Sequence, residues 1–113
     1  MTHPNKVKGN RAELAVATYL RTVGFPYAER SRAGWADDRG DIDGIPGVVI
    51  EIKDCKKHDL AGWMTETERE VANAGAVTTG LLVVKRRLHT DPADWYAISR
   101  LGDWAHMAKD AGL

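Results

Sequence analysis

Gly40-Asp41-Ile42-Asp43-Gly44-Ile45-Pro46-Gly47-Val48-Val49-Ile50-Glu51-Ile52-Lys53 is the stretch whose reading decides the fold. Two strand-like runs, Asp41 to Gly44 and Val48 to Lys53, flank the turn-forming Ile45-Pro46-Gly47. Alternate residues of a strand share a face, so Val48, Ile50 and Ile52 are expected to point into the core and Val49, Glu51 and Lys53 the other way. Asp41 and Asp43 share a face of the preceding run. A hairpin symmetric about Pro46 sets Asp41 opposite Glu51, with Cβ atoms about 5 Å apart, where like charges repel. A raised carboxyl pKa relieves that repulsion. So does a hard cation such as Mg²⁺, which takes carboxylates, waters and phosphate oxygens. Lys53, on the face of Glu51, would then stand beside the ion, to orient or help deprotonate a water or to neutralise charge on a phosphate. The alternative is a solvent-facing hairpin with an ordinary Glu/Lys pattern.

Outward from this hairpin, residues 11–23 place Ala12, Ala15, Val16, Tyr19, Leu20 and Val23 at helical spacing, with Asn10 as N-cap and Gly24 as stop. Residues 25–30 read as a short strand and 31–40 as a loop rich in Arg, Gly and Asp. Leu60, Trp63, Met64, Val71 and Ala74 fit a second helix closed by Gly75. Thr79 to Val84 reads as a buried strand, Trp95 to Ser99 as another, and Arg100 to Ala111 as a last helix. The order α-β-β-β-α-β-β-α predicts an α/β domain with a mixed central sheet flanked by helices. No repeat or linker divides it, so residues 1–113 read as one domain.

The 113 residues are 43% hydrophobic and 28% charged, which argues for a globular chain and against disorder. No run approaches the roughly 20 apolar residues of a membrane span. The basic N-terminus has no apolar segment behind it, so it does not read as a secretory signal. With one cysteine, Cys55, no internal disulfide can form, and an intracellular, cytoplasmic location is expected. Sixteen basic residues balance sixteen acidic ones, but unevenly along the chain. Residues 1–36 carry an excess of four positive charges, and residues 37–70 hold ten acids against five bases. Lys85-Arg86-Arg87 is a compact basic run. A metal site beside a polyanion groove fits this distribution; on charge counts alone, a solvated mixed-charge surface is the plainer reading.

Asp41, then Glu51-Ile52-Lys53 after the turn, resembles the D…(D/E)-x-K signature of the PD-(D/E)XK nuclease superfamily. Lys8-Gly9-Asn10-Arg11-Ala12-Glu13-Leu14 looks like the opening of the archaeal-type Holliday-junction resolvases and their phage and bacterial relatives. The similarity spans roughly residues 6–87. It implies a restriction-endonuclease-like α-β-β-β-α-β core and a homodimer hydrolysing phosphodiester bonds in branched DNA. The implied cofactor is Mg²⁺, with Mn²⁺ able to substitute. Asp41, Glu51 and the Ile52 carbonyl would hold the metal, with Lys53 and Glu13 also catalytic. Arg30, Ser31, Arg32, Lys56 and Lys57 would contact DNA, in the host cytoplasm if the chain is phage-encoded. In this chain Gly40 stands where a proline often precedes the first motif acid, and Thr65-Glu66-Thr67-Glu68-Arg69-Glu70 lacks the glutamine of many relatives. A nicking or restriction-type nuclease, or a non-catalytic DNA-binding protein on the same fold, are the alternatives.

Other residues have plainer explanations. Asn10-x-x-Glu13 has the spacing of a capping box, which competes with a catalytic Glu13. Asp43 reads as a solvated strand residue rather than a ligand. Trp63, Trp95 and Trp104 fall at apolar positions and are expected in the core or a dimer contact. Trp35, in the polar loop, is the aromatic suited to nucleic acid. The four histidines show no zinc spacing. Cys55 has no histidine placed to activate it and reads as a bystander.

Overall fold

The computed structural model describes residues 4–31, 40–75 and 79–113. Arg32 and Trp35 lie outside the described residues. Three helices accompany a mixed three-stranded sheet and a small antiparallel pair. In chain order these are α1 (Pro4–Thr22), β1 (Glu29–Arg30), β2 (Ile42–Asp43), β3 (Val48–Lys53), α2 (Leu60–Asn73), β4 (Thr79–Val84), β5 (Tyr96–Ile98) and α3 (Leu101–Asp110), with a 3₁₀ turn at Pro92–Asp94 before β5. No helix among the described residues is long and apolar enough to cross a membrane.

β3 and β4 run parallel, in register from Val48 opposite Thr79 to Lys53 opposite Val84, and β5 pairs antiparallel on the far side of β4. The register decides the faces. Ile50, Ile52 and Val83 meet Ala12, Val16 and Ala17 of α1 in one core cluster. Val49 stands opposite Gly80 on the other face, where a Cβ at Gly80 would touch Thr67 and Val71 of α2. The parallel pair is therefore covered on both sides, as parallel sheets generally are. That overturns the solvent-facing reading of β3: Val49, Ile50, Glu51 and Ile52 are all buried.

α1 starts at Pro4, well before the sequence-expected residue 11. Proline suits a first helical turn, and Asn10 lies in mid-helix, so it is not the cap. Its side chain instead accepts a hydrogen bond from Arg30 at 2.9 Å, a tertiary use that local sequence does not reveal. The capping-box explanation of Glu13 goes with it. The strand expected over 25–30 is reduced to Glu29 and Arg30, which pair with Asp43 and Ile42. Gly44, at φ +89°, lies so close to the Tyr27 carbonyl that any side chain would overlap it.

The symmetric β2–β3 hairpin is replaced by a different junction. β2 pairs with β1, and the ribbon meets β3 at Asp41, whose N–H donates to the Ile50 carbonyl at 2.7 Å. The Asp41 carboxylate accepts from the Ile52 N–H at 2.8 Å. Gly40 permits this approach. Its φ is +96°, and a Cβ there would lie 2.8 Å from the Ile50 oxygen and 2.9 Å from the Val49 side chain. Of the tryptophans, Trp95 is in the core, its indole N–H bonded to the His89 carbonyl at 2.8 Å. Trp104 is not: α3 buries no residue, and its Leu101, Trp104 and Met107 are exposed.

Gly40→Ala combines an unfavourable φ with a backbone clash, so it is expected to cost about 2 kcal/mol or more of stability. Denaturant unfolding measures this, and a change within about 0.5 kcal/mol, the range of an ordinary surface substitution, would show that the junction does not need glycine.

Candidate functional site

β3 places three consecutive groups. Successive backbone units of a strand face opposite edges: the Lys53 carbonyl accepts from Lys85 N–H on the β4 edge, so the Ile52 backbone, whose N–H binds Asp41, faces the other edge. The Ile52 carbonyl and the Asp41 carboxylate thus share one edge. Glu51 points from the α2 face and is only 5% exposed. Lys53, two residues on, points the same way; its Nζ lies 3.5 Å from Glu51 Oε1 and 3.0 Å from Glu66 Oε2.

α2 brings two acids that sequence reading did not include in the site. Ligand oxygens of Glu51, Glu66 and Glu70 all lie within 4.8 Å of one another, and Glu70 is buried. The signal was present in Thr65-Glu66-Thr67-Glu68-Arg69-Glu70, because residues four apart share a helix face. Nothing local showed that this face would be turned toward β3.

The electrostatics follow from crowding. Burial, contact with the Glu70 carboxyl and the negative charges of Asp41 and Glu70 drive the Glu51 pKa far above its ordinary value, and Lys53 offsets only part of this. Two carboxyls in contact can share a hydrogen bond only if one holds a proton, so the Glu51–Glu70 pair keeps a proton at pH 7, as the raised pKa of Glu51 reflects. Burial opposes the charge of Lys53, but the hydrogen bond to Glu66 and the adjoining Glu51 and Glu66 carboxyls outweigh it and raise its pKa. Lys53 is therefore a firmly charged ammonium, suited to orienting a water or stabilising an anion rather than to accepting a proton. Glu13 is raised by burial and then by Asp41, with Arg30 acting in the opposite sense.

Glu13, Asp41, Glu51 and Lys53 are thus within electrostatic reach of their neighbours around one edge of the sheet. The residues expected to bind DNA divide. Arg30 is engaged by Glu13 at 3.7 Å and by Asn10. The Ser31 hydroxyl donates to the Gly40 carbonyl at 2.8 Å and to Asp43 at 3.0 Å. Both tie the β1–β2 ribbon to the acids rather than facing outward, and Asp43 is a half-buried acceptor rather than a solvated residue. Lys56 and Lys57 are exposed after β3, and Lys56 lines a cleft there.

The donor set suits a hard cation: all its atoms are oxygens, and Glu51 Oε2 is buried with no hydrogen-bond donor among the described residues. Compared with protein-family models, curated proteins and solved structures, the chain has no significant match.

Because Glu51 holds its proton in the folded chain and releases it near pH 4.3 when unfolded, its contribution to stability is complete below about pH 4 and is lost as pH climbs toward the folded value. Glu13 acts in the same direction. Glu51→Gln, which keeps the shape and removes the titration, is expected to raise Tm relative to wild type by an amount that grows between pH 5 and pH 9. Melting curves across that range test it; a constant or shrinking difference would mean that Glu51 is ionised in the folded protein.

Proposed function

We propose that the chain is a Mg²⁺-dependent DNA endonuclease of the PD-(D/E)XK type, built on a restriction-endonuclease-like core and acting on branched DNA as a homodimer. The observation that carries this reading is the bond from the Ile52 N–H to the Asp41 carboxylate. It joins the Asp41 carboxylate to the strand that carries the Ile52 carbonyl and the Glu51–Lys53 pair, which supports a D…E-x-K site. A non-catalytic DNA-binding protein is the reading favoured by one feature, the Lys53 ammonium clamped between Glu51 and Glu66.

Asp41, Glu51 and the Ile52 carbonyl would hold Mg²⁺, or Mn²⁺ in its place; the ion supplies a lowered pKa for a bound water and neutralises phosphate charge. The chain's own residues do the rest. To hold the cation Glu51 would have to release its proton, so metal affinity should rise with pH. Lys53, held charged, orients the attacking water and meets the charge that builds on the phosphate oxygens. Glu13, freed of a capping role by the early start of α1, is available to hold a water beside Asp41, with Arg30 fixing its side chain. A four-way junction has near two-fold symmetry, which an isologous dimer with two such sites would match.

Cleavage of a synthetic four-way junction with Mg²⁺ tests the reading, with flap, linear and single-stranded DNA alongside. Asp41→Asn and Glu51→Gln are each expected to abolish cleavage while leaving DNA binding intact or tighter, since Asp41→Asn removes a negative charge near the phosphate and Glu51→Gln adds none. Cleavage by either at the wild-type rate excludes that residue from the reaction. Lys53→Ala should lower kcat far more than it raises KM, because its work is on the transition state. Equal loss in binding alone would make it a phosphate contact.

Glu13→Gln separates a further pair of roles. With no cap to preserve, a purely structural Glu13 predicts unchanged cleavage and a small shift in Tm. A water-holding Glu13 predicts strongly suppressed cleavage at unchanged Tm, read from the same junction assay and a melting curve.

A further inference from the structure

Beyond the acids, where parallel β3 and β4 both end, the chain leaves a cleft of about 710 Å³. The C-terminal ends of parallel strands are where open α/β sheets usually receive ligands. Lys8, Lys56, Lys85, Arg86 and Arg87 line it, and Asp54 is its one acidic residue. Asp54 sits between Lys8, at 3.8 Å, and Lys85, at 3.6 Å, and its buried Oδ2 accepts no hydrogen bond among the described residues. It holds two cations in place without exhausting them, and the remaining charge of the cleft is strongly positive.

Charge alone would fit any polyanion; two further features narrow it. Tyr96, half exposed on β5, lines the same cleft, with the Arg86 guanidinium 5.1 Å from its ring centre. Leu88 also lines it, is 94% exposed, and has a φ of +67°, the one positive value among the described non-glycine residues. A large apolar side chain held in a costly backbone conformation and almost fully exposed contributes nothing to the core. Following directly on Arg86 and Arg87, it has the character of an apolar wedge beside basic side chains suited to phosphate.

We infer that this cleft takes an unpaired strand of nucleic acid, with the basic side chains along its phosphates, a base stacked on Tyr96 and Leu88 at the point where the strand leaves its duplex. A duplex hides its base faces inside the stack and can offer none to Tyr96 until it is opened; an unpaired strand offers them all. The volume is that of a site for one small group such as a nucleotide, not of a groove wide enough for a double helix. The inference rests on the nuclease reading only in taking DNA as the polyanion. Within that reading it selects substrates with an unpaired or frayed strand next to the cut.

Cys55, exposed in the same cleft and the chain's single cysteine, makes a direct probe. The full chain, in EDTA so that nothing is cut, is alkylated with a maleimide with and without an oligo-dT of about 12 nucleotides. A duplex and an abasic strand of the same length are run alongside. Oligo-dT is expected to slow Cys55 alkylation at least fivefold and to bind about tenfold tighter than the abasic strand, by anisotropy. Tyr96→Phe should retain both effects and Tyr96→Ala should lose both, while the melting curves of the two variants stay alike. Leu88→Ser should weaken binding to a forked duplex without changing oligo-dT affinity. Equal affinity for oligo-dT and the abasic strand would overturn the inference in favour of a charged rim. So would protection by the duplex alone, or full binding by Tyr96→Ala. The nuclease reading is judged separately, by Mg²⁺-dependent cleavage: loss of cleavage with dT protection intact would remove that reading and keep the cleft.

Discussion

The bracket between Asp41 and β3 is the constraint on which the arrangement of this protein depends. A backbone N–H donates to the Ile50 carbonyl and a side-chain carboxylate accepts from the Ile52 N–H. In this way one residue satisfies two edge groups that a full strand would otherwise have to pair. The β1–β2 ribbon is thereby joined to the sheet without extending its ladder. The same two bonds orient an acidic side chain at an edge where a strand carbonyl also points. Gly40 makes the approach sterically feasible, and Ser31, bonded to Gly40 and Asp43, holds the ribbon from behind.

Burying β3 on both faces has an electrostatic consequence. α1 and α2 cover opposite sides of the parallel pair, so Glu51 cannot escape to solvent and must accommodate Glu70 and Glu66 beside it. Unlike a surface acid, it is costly to ionise. The protein meets this cost with a proton on Glu51 and with the ammonium of Lys53, which bridges Glu51 and Glu66. A cation entering among these oxygens would replace the proton with a charge better matched to them. This is how a locally unfavourable cluster can serve as a binding site.

The polarity of the molecule is also organised by the parallel pair. Carboxylates gather along the outer edge and α2 face of β3, while the bases emerge beyond the strand ends, from Lys56 and from Lys85 to Arg87. A chain with zero net charge thus presents acid and base to different parts of the same neighbourhood. For the polyanionic substrate proposed above this would be a workable division, with the bases holding the backbone at a distance and the acids acting only where a cation mediates.

Much of this was legible in the chain itself. The runs Val48–Lys53 and Thr79–Val84 are β-branched and apolar enough to specify strands without help, and Leu60, Trp63, Met64 and Val71 mark α2 by spacing alone. The turn at Pro46 suggested that Asp41 comes near Glu51, but the contact is made through Ile50 and Ile52 rather than by a symmetric hairpin. Tertiary structure decided what depends on partners distant in sequence. It extended α1 back to Pro4 and gave Asn10 to Arg30; it shortened β1 and β2 to two residues each; it turned the Glu66–Glu70 face onto Glu51; and it drew Arg30 and Ser31 inward. The reason is physical. Backbone preference and hydrophobic period act over a few residues and are written locally, whereas the pairing of polar groups is settled only when packing has removed their water, and the partner is then whichever group the fold has brought within reach.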